Sequence, residues 1–255
     1  MKNVEKERNV WLLLVVLGVF ALSGVASADL YFAPVVDDQW LNAGNWYDTS
    51  DWSLAGRVPT LTDNVPLENE PVISGPGAEA ALLWIAPWGA DTGSLTVEGS
   101  LHTSGYLWVG SQGAGELTMN SGVIDVDDHL ILGANSSATG QMYMNGGVVN
   151  TLVGGFFIGG DGTGHLEVAG GTINTSYIGF GCWGSGSGTI NFSGDGEIIS
   201  DANQVDEVQG WIDNGWITNA QVNFVGGKTV ISQIPEPATL TLLGLGAVAM
   251  LRRKR

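Results

Sequence analysis

Residues 115–133 read GELTMNSGVIDVDDHLILG, residues 140–160 read GQMYMNGGVVNTLVGGFFIGG, and residues 164–181 read GHLEVAGGTINTSYIGFG. Aligned on Gly115, Gly140 and Gly164, they are one sentence written three times, and Gly188 opens a further copy. The steps are 25, 24 and 24 residues. A fixed period in this range marks a repeat architecture. Within a unit, apolar and polar residues alternate over four to six positions, which is the period of a strand and not of a helix. The inward columns are Leu95/Leu117/Met142/Leu166/Ile190, Val97/Met119/Met144/Val168/Phe192, Leu101/Ile124/Val149/Ile173/Ile198 and Val109/Leu132/Ile158/Ile178. The glycines fall where the chain bends, as expected of the residue that takes positive φ freely. No helical pattern separates the strands. The expectation is an all-β fold, a short parallel β-solenoid of about five coils over residues 68–200, its first, irregular coil covering about 70–92.

Outside the repeats the chain divides further. Residues 1–28 carry Lys2, Lys6 and Arg8, an apolar run from Val10 to Leu22, and Ala26-Ser27-Ala28. That is the layout of a secretory signal peptide cut before Asp29, the run being short for a membrane-spanning helix. Residues 29–67 hold Trp40, Trp46 and Trp52. Either these tryptophans cover the open end of the solenoid, the preferred reading, or they are platforms for sugar rings. Residues 201–233 read as a C-terminal cap. Asp201 is placed to cap a short helix with Val205, Val208, Trp211 and Ile212 on one face, ended by Gly215. A hairpin turned at Gly226-Gly227 follows.

The stretch with Asn45, Trp46, Trp52, Val58, Pro59 and Asp63 resembles the segment that precedes β-solenoid repeats in bacterial surface proteins of the autotransporter-like and PEP-CTERM-associated kind. The final 22 residues, 234–255, consist of Pro235-Glu236-Pro237, the uncharged run Ala238–Leu251, and Arg252-Arg253-Lys254-Arg255. Their order resembles the PEP-CTERM sorting signal, a segment labelled in some families as an ice-binding-protein C-terminal region. The resemblance implies recognition by an exosortase-type membrane protease and export machinery, an inner-membrane intermediate, and delivery to the cell surface or to a polysaccharide-rich matrix. The apolar run is at the short end for a membrane span, and the basic end stays cytoplasmic by the positive-inside rule.

Charge narrows the function. Of nine basic residues only Arg57 and Lys228 lie between the terminal segments, against all but three of the 26 acidic residues. Nucleic-acid binding is excluded, because phosphate neutralisation needs Lys and Arg. No cofactor is expected, beyond loose association of divalent cations with an acidic surface. The single cysteine, Cys182, excludes an intramolecular disulfide and reads as a loop residue.

No residue is expected to be catalytic. A polysaccharide lyase needs a base, usually Arg or Lys, and a hydrolase needs two placed carboxylates. The one dense acidic cluster, Asp125, Asp127 and Asp128 beside His129, reads as a solvated turn. GGDGTG at 159–164 departs from the repeated calcium-binding nonapeptide order, and the three histidines lie in different coils, so no metal site is expected. Two ladders remain. His102, Asp125, Asn150 and Asn174 succeed one another, and stacked Asn can hydrogen-bond along the solenoid. Trp84, Trp108, Ile131, Phe157 and Tyr177 form an outward aromatic stripe, either a seat for a polysaccharide or protein or a satellite cluster under the end modules. Thr96, Thr118, Tyr143 and Glu167 share an outward column, which breaks the regular Thr row that an ice-binding face wants. The chain therefore reads first as a non-enzymatic exported surface or matrix protein. A polysaccharide-binding or polysaccharide-degrading β-helix comes second, and an ice- or surface-binding adhesin third.

Overall fold

The structure is a computed structural model that describes residues 29–234 apart from Leu152. The signal peptide with Ala26 and Ala28, and the tail from Pro235 to Arg255, lie outside the described residues. Three parallel sheets wrap one apolar interior, each coil giving one strand to each sheet. The first sheet stacks Asn64–Leu67, Leu82–Ile85, Leu107–Val109, Leu130–Leu132, Phe156–Ile158 and Ile178–Phe180. The second runs from Val72–Ile73 through Thr92–Val97, Ala114–Met119, Thr139–Met144, Thr163–Val168 and Ser187–Phe192 to Ile217–Thr218. The third runs from Ala78–Ala80 through Ser100–Thr103, Val123–Val126, Val148–Thr151 and Thr172–Thr175 to Glu197–Ser200.

The solenoid thus has about six turns, one more than the repeat pattern announced. The extra coil is Asn64–Ala80, which lacks the Gly-x-Leu-x-Val sentence, while Leu82–Ile85 opens the second coil instead of closing the first. Neighbouring coils pair like with like: Leu117 lies beside Leu95 and Met142, and Met144 beside Met119 and Val168. The first three inward columns hold as read, and their residues are buried to 1 % exposure or less. The fourth slips. Ile178 pairs with Phe156, and Phe180 lies beside Ile158. The corner before the last first-sheet strand is only residues 176–177, whereas residues 152–155 fill it one coil earlier. A change of two residues preserves inside and outside but moves the register.

The glycines have two jobs. Gly110, Gly133, Gly159 and Gly181, which end the first-sheet strands, do have positive φ, from 66° to 71°. Ala86 takes the equivalent position at φ 53°. The unit-opening glycines do not. At Gly140 a Cβ would lie 2.1 Å from the Val109 carbonyl oxygen and 2.3 Å from the Gly133 nitrogen. Close approach of backbones, not the bend, requires glycine there.

At the N-terminal end, Leu30–Phe32, Trp46–Asp48 and Ser53–Leu54 form a small antiparallel sheet. Trp40 and Trp46 are fully buried, ring centroids 4.8 Å apart, and the Trp46 Nε1–H donates to the Trp40 carbonyl at 2.7 Å. Trp52 is different: it takes φ 58°, is 63 % exposed, and touches only the edge of Tyr31 among the aromatic rings described. At the other end the helix is Val205–Asp213, and Val208 and Trp211 are buried. Its N-cap is Gln204, not Asp201, which pairs with Lys228 at 2.8 Å. Gln204 turns its amide the other way. Its Oε1 accepts from the Ile178 N–H at 3.0 Å, and its Nε2 donates to the Ile178 carbonyl at 2.8 Å. The side chain therefore stands in for the next strand of the first sheet. Ala220–Val225 and Lys228–Gln233 form the expected hairpin, turned at Gly226 and Gly227 with φ 61° and 88°.

Candidate functional site

The first sheet presents its outward side chains in two columns. One is Trp84, Trp108, Ile131, Phe157 and Gly179, so Tyr177 does not follow Phe157 in register as the repeat pattern suggested. Tyr177 belongs with Tyr106, His129 and Gly155, each the residue immediately before its first-sheet strand. The ring still reaches Phe157, centroid to centroid 6.1 Å. Trp84 and Trp108 are 6.2 Å apart, Tyr106 lies 5.7 Å from Trp108, and His129 lies 5.3 Å from Phe157. The geometry is tilted or edge-on throughout, the arrangement aromatic quadrupoles prefer when rings pack on each other. The glycines explain the fit: a Cβ on Gly155 would sit 2.8 Å from the Phe157 ring.

Trp183, which the repeat pattern did not single out, completes the face. It projects from the corner 181–186, passes over Gly160, and meets Trp108 edge-on at 5.9 Å. Ile131, which points outward, is fully buried among these neighbours. The only hint in the sequence is spacing: the corner holding Trp183 matches the corner holding Trp88 in length. Trp88 and Trp183 occupy equivalent places and are 54 % and 48 % exposed. The face is therefore a self-packed aromatic cluster whose exposed surface is concentrated at this corner.

The other outward columns are mostly polar, Val123, Val148 and Ile199 being apolar exceptions on the third sheet. On the third sheet Asn174 Nδ2 donates to Asn150 Oδ1 at 2.9 Å, and Asn150 Nδ2 donates to Asp125 Oδ1 at 2.8 Å. His102 turns instead to Asp127, at 3.1 Å. A pocket of about 340 Å³ lies here, lined by His102, Asp125, Asp127, Asn150 and Val153. The acidic cluster is thereby divided: Asp125 serves the ladder, Asp127 faces His102, and His129 Nδ1 accepts the Gly155 N–H at 2.7 Å. Among the described residues no group of three or more His, Cys, Asp or Glu is placed to hold a metal ion. On the second sheet a groove of about 390 Å³ runs over Glu70, Thr92, Ser94, Glu116, Thr139 and Gln141.

Both basic side chains of the described region are engaged. Arg57 donates to Asp63 from Nη2 at 2.8 Å, and Lys228 pairs with Asp201. Burial pushes the Asp63 carboxyl up, but hydrogen bonds from Arg57 and Thr60 outweigh it and hold the pKa below its ordinary value. Burial raises the Cys182 thiol to about 11, so it is protonated at neutral pH.

Residues 233–255 match the family model of the PEP-CTERM protein-sorting motif. The tail is a PEP-CTERM sorting motif. It marks the chain for exosortase-type sorting and export to the cell surface. The match takes in Pro235, Glu236, Pro237, Arg252, Arg253, Lys254 and Arg255, and leaves the solenoid unassigned. No curated protein and no solved structure matches the chain. Among the described residues no helix is long and apolar enough to cross a membrane, and the apolar run Ala238–Leu251 lies outside them.

Proposed function

We propose that this protein is a non-enzymatic component of the bacterial cell surface or extracellular matrix, released at its C-terminus by an exosortase-type protease after a signal peptide ending at Ala28 has been removed. The observation that carries the reading is the PEP-CTERM motif at residues 233–255, placed directly after the last strand of a capped solenoid. A membrane protease needs a recognisable sequence outside the bilayer, a segment held within it, and a stop that fixes orientation. Pro235-Glu236-Pro237, Ala238–Leu251 and Arg252–Arg255 meet those needs in order. The solenoid side supports a structural role, since the side chains with the best claim to chemistry are already engaged. Asp125 accepts from Asn150, His129 accepts from the backbone, and Arg57 and Lys228 close ion pairs at the two ends.

The test replaces Pro235-Glu236-Pro237 with alanines in cells that carry the processing machinery. The expected result is normal membrane insertion with full-length protein accumulating in the membrane fraction. A variant trimmed and delivered like the parent would reduce the tail to a plain anchor.

A second reading is that the aromatic corner binds extracellular polysaccharide. It is favoured by Trp88 and Trp183, half-exposed at equivalent corners of different coils. Retention on a panel of immobilised polysaccharides, compared between parent and Trp183→Ala, tests it, and new reducing or unsaturated ends in the same panel would reveal an enzyme. The ice-binding reading finds no such support: its column, Thr96, Thr118, Tyr143, Glu167, continues into Asn191.

A further inference from the structure

A solenoid ends on three sheet edges, and each exposes unpaired amides and carbonyls. At the N-terminal end all three are blunted. The first-sheet edge is Asn64–Leu67, which contains Pro66 and is bridged by Asp29. The second is two residues long and bridged by Gln39. The third, Ala78–Ala80, has three residues. At the C-terminal end two edges are closed, by the Gln204 amide on Ile178 and by Ile217–Thr218 on Ile190–Asn191. The third edge is not closed but handed outward. Lys228–Gln233 pairs antiparallel with Glu197–Ser200, and Ala220–Val225 pairs with Lys228–Gln233. Among the described residues no strand lies on the far side of Ala220–Val225.

The helix Val205–Asp213 packs against this strand, but among the described residues the strand itself carries no blunting residue. It is six residues long, AQVNFV, with no proline and no charge. Phe224 and Val225 are 51 % and 61 % exposed. The hairpin fixes which amides are free. Ile234 N–H bonds to Asn219 O, and the two-residue turn closes on Val225 and Lys228. Hydrogen-bonded pairs alternate between those points, so Gln221, Asn223 and Val225 direct their amides to the neighbouring strand. Ala220, Val222 and Phe224 direct theirs to the open edge.

We propose that this edge pairs with the same strand of a second copy of the chain, antiparallel and centred on Asn223, to make a closed dimer joined at the C-terminal caps. A two-fold axis perpendicular to the sheet keeps inner faces together, so Val222 falls opposite Phe224 of the second copy, twice. Asn223 falls opposite itself. Apolar cross-strand pairs of this kind stabilise antiparallel sheets. The strand itself carries no charge, so pairing with the same strand of a second copy sets no like charges directly opposite one another. Because the N-terminal edges are blunted, assembly stops at two and does not grow into a filament. A pair of six-residue strands is small beside the ~1,200 Å² of a stable interface, so the dimer is concentration-dependent.

The test uses the full-length protein in mild detergent, with Cys182→Ser and Asn223→Cys. Opposed residues of a non-hydrogen-bonded pair have Cα atoms about 4.5 Å apart, within disulfide range. Oxidation should give a covalent species of twice the chain mass, increasing with protein concentration, and Gln221→Cys at the same concentration should give at least tenfold less. Adding Phe224→Pro should abolish the crosslink without lowering the melting temperature by more than a few degrees, since among the described residues that N–H serves no bond. A single-chain mass for Asn223→Cys at every concentration overturns the proposal. So does equal crosslinking at both positions, or a crosslink that survives Phe224→Pro.

Discussion

The coils and the N-terminal cap are held together in opposite ways. In the coils each inward residue meets its counterpart one repeat away, Leu117 against Leu95 and Met142, so every ladder contact spans about one period. In the cap each joint has its own partner. Asn45 Nδ2 bonds the carbonyls of Asp37 and Gln39, Trp46 bonds Trp40, and Arg57 bonds Asp63. The electrostatics divide the same way. Three carboxyls are held below their ordinary pKa by hydrogen bonds, Asp37, Asp51 and Asp63, and all three lie in the first 35 described residues. The difference teaches that the coils depend on shape and register, whereas the cap depends on a few specific polar bonds.

The largest expected effect breaks the coils. Ile173→Asp places a carboxylate in a fully buried column, flanked by Val149 and Ile198. It should cost about 4 kcal/mol or prevent folding, read as lost soluble yield or a lowered urea midpoint. Gly140→Ala should come next, at about 3 kcal/mol, because its Cβ meets two backbones that side-chain movement cannot relieve. If that variant melts like the parent, the unit-opening glycines are not close-approach sites.

Two smaller effects sharpen the other side. Arg57→Ala leaves the 1 % exposed Asp63 side chain without its cation, at about 2 kcal/mol, and should be local. Acid tests the same joint. The Asp63 pKa is lowered in the folded protein, so its contribution is complete above the ordinary value of 3.8 and is lost as pH falls through the lowered one. Tryptophan fluorescence should report opening around Trp40 and Trp46 below that point, before strand circular dichroism changes. Simultaneous loss of both signals would mean that cap and coils are one cooperative unit. The smallest effect is Asn150→Ala, about 1 kcal/mol by thermal melting, since the ladder groups it abandons are open to water.

The same division decides what the sequence made legible. Three inward columns, the Asn ladder and the Gly226-Gly227 hairpin were readable because each rests on a periodic or local rule. The coil Asn64–Ala80 was not: its alternation is interrupted by Pro66 and Pro71, and only stacking on the second coil makes it a coil. The fourth column slipped because apolar spacing cannot report a corner shortened by two residues. Asp201 carries the right side chain for a helix cap, but the helix begins after Gln204, whose amide is needed at the sheet edge. Trp183 was invisible as part of the aromatic cluster because its partner Trp108 lies three coils earlier.

The in-register stack also has an evolutionary consequence. In the ladders a coil pairs only with the coils before and after it, with Trp183 reaching back further on the outer face, and the two ends are built from sequences that do not repeat. Duplicating one 24-residue unit in frame therefore inserts a coil without redesigning either terminus, and lengthens the rod by about 4.8 Å. The distance from the tryptophan-lined tip to the sorting tail is thus a quantity that unequal recombination between repeats can set in fixed increments, independently of how the protein is exported.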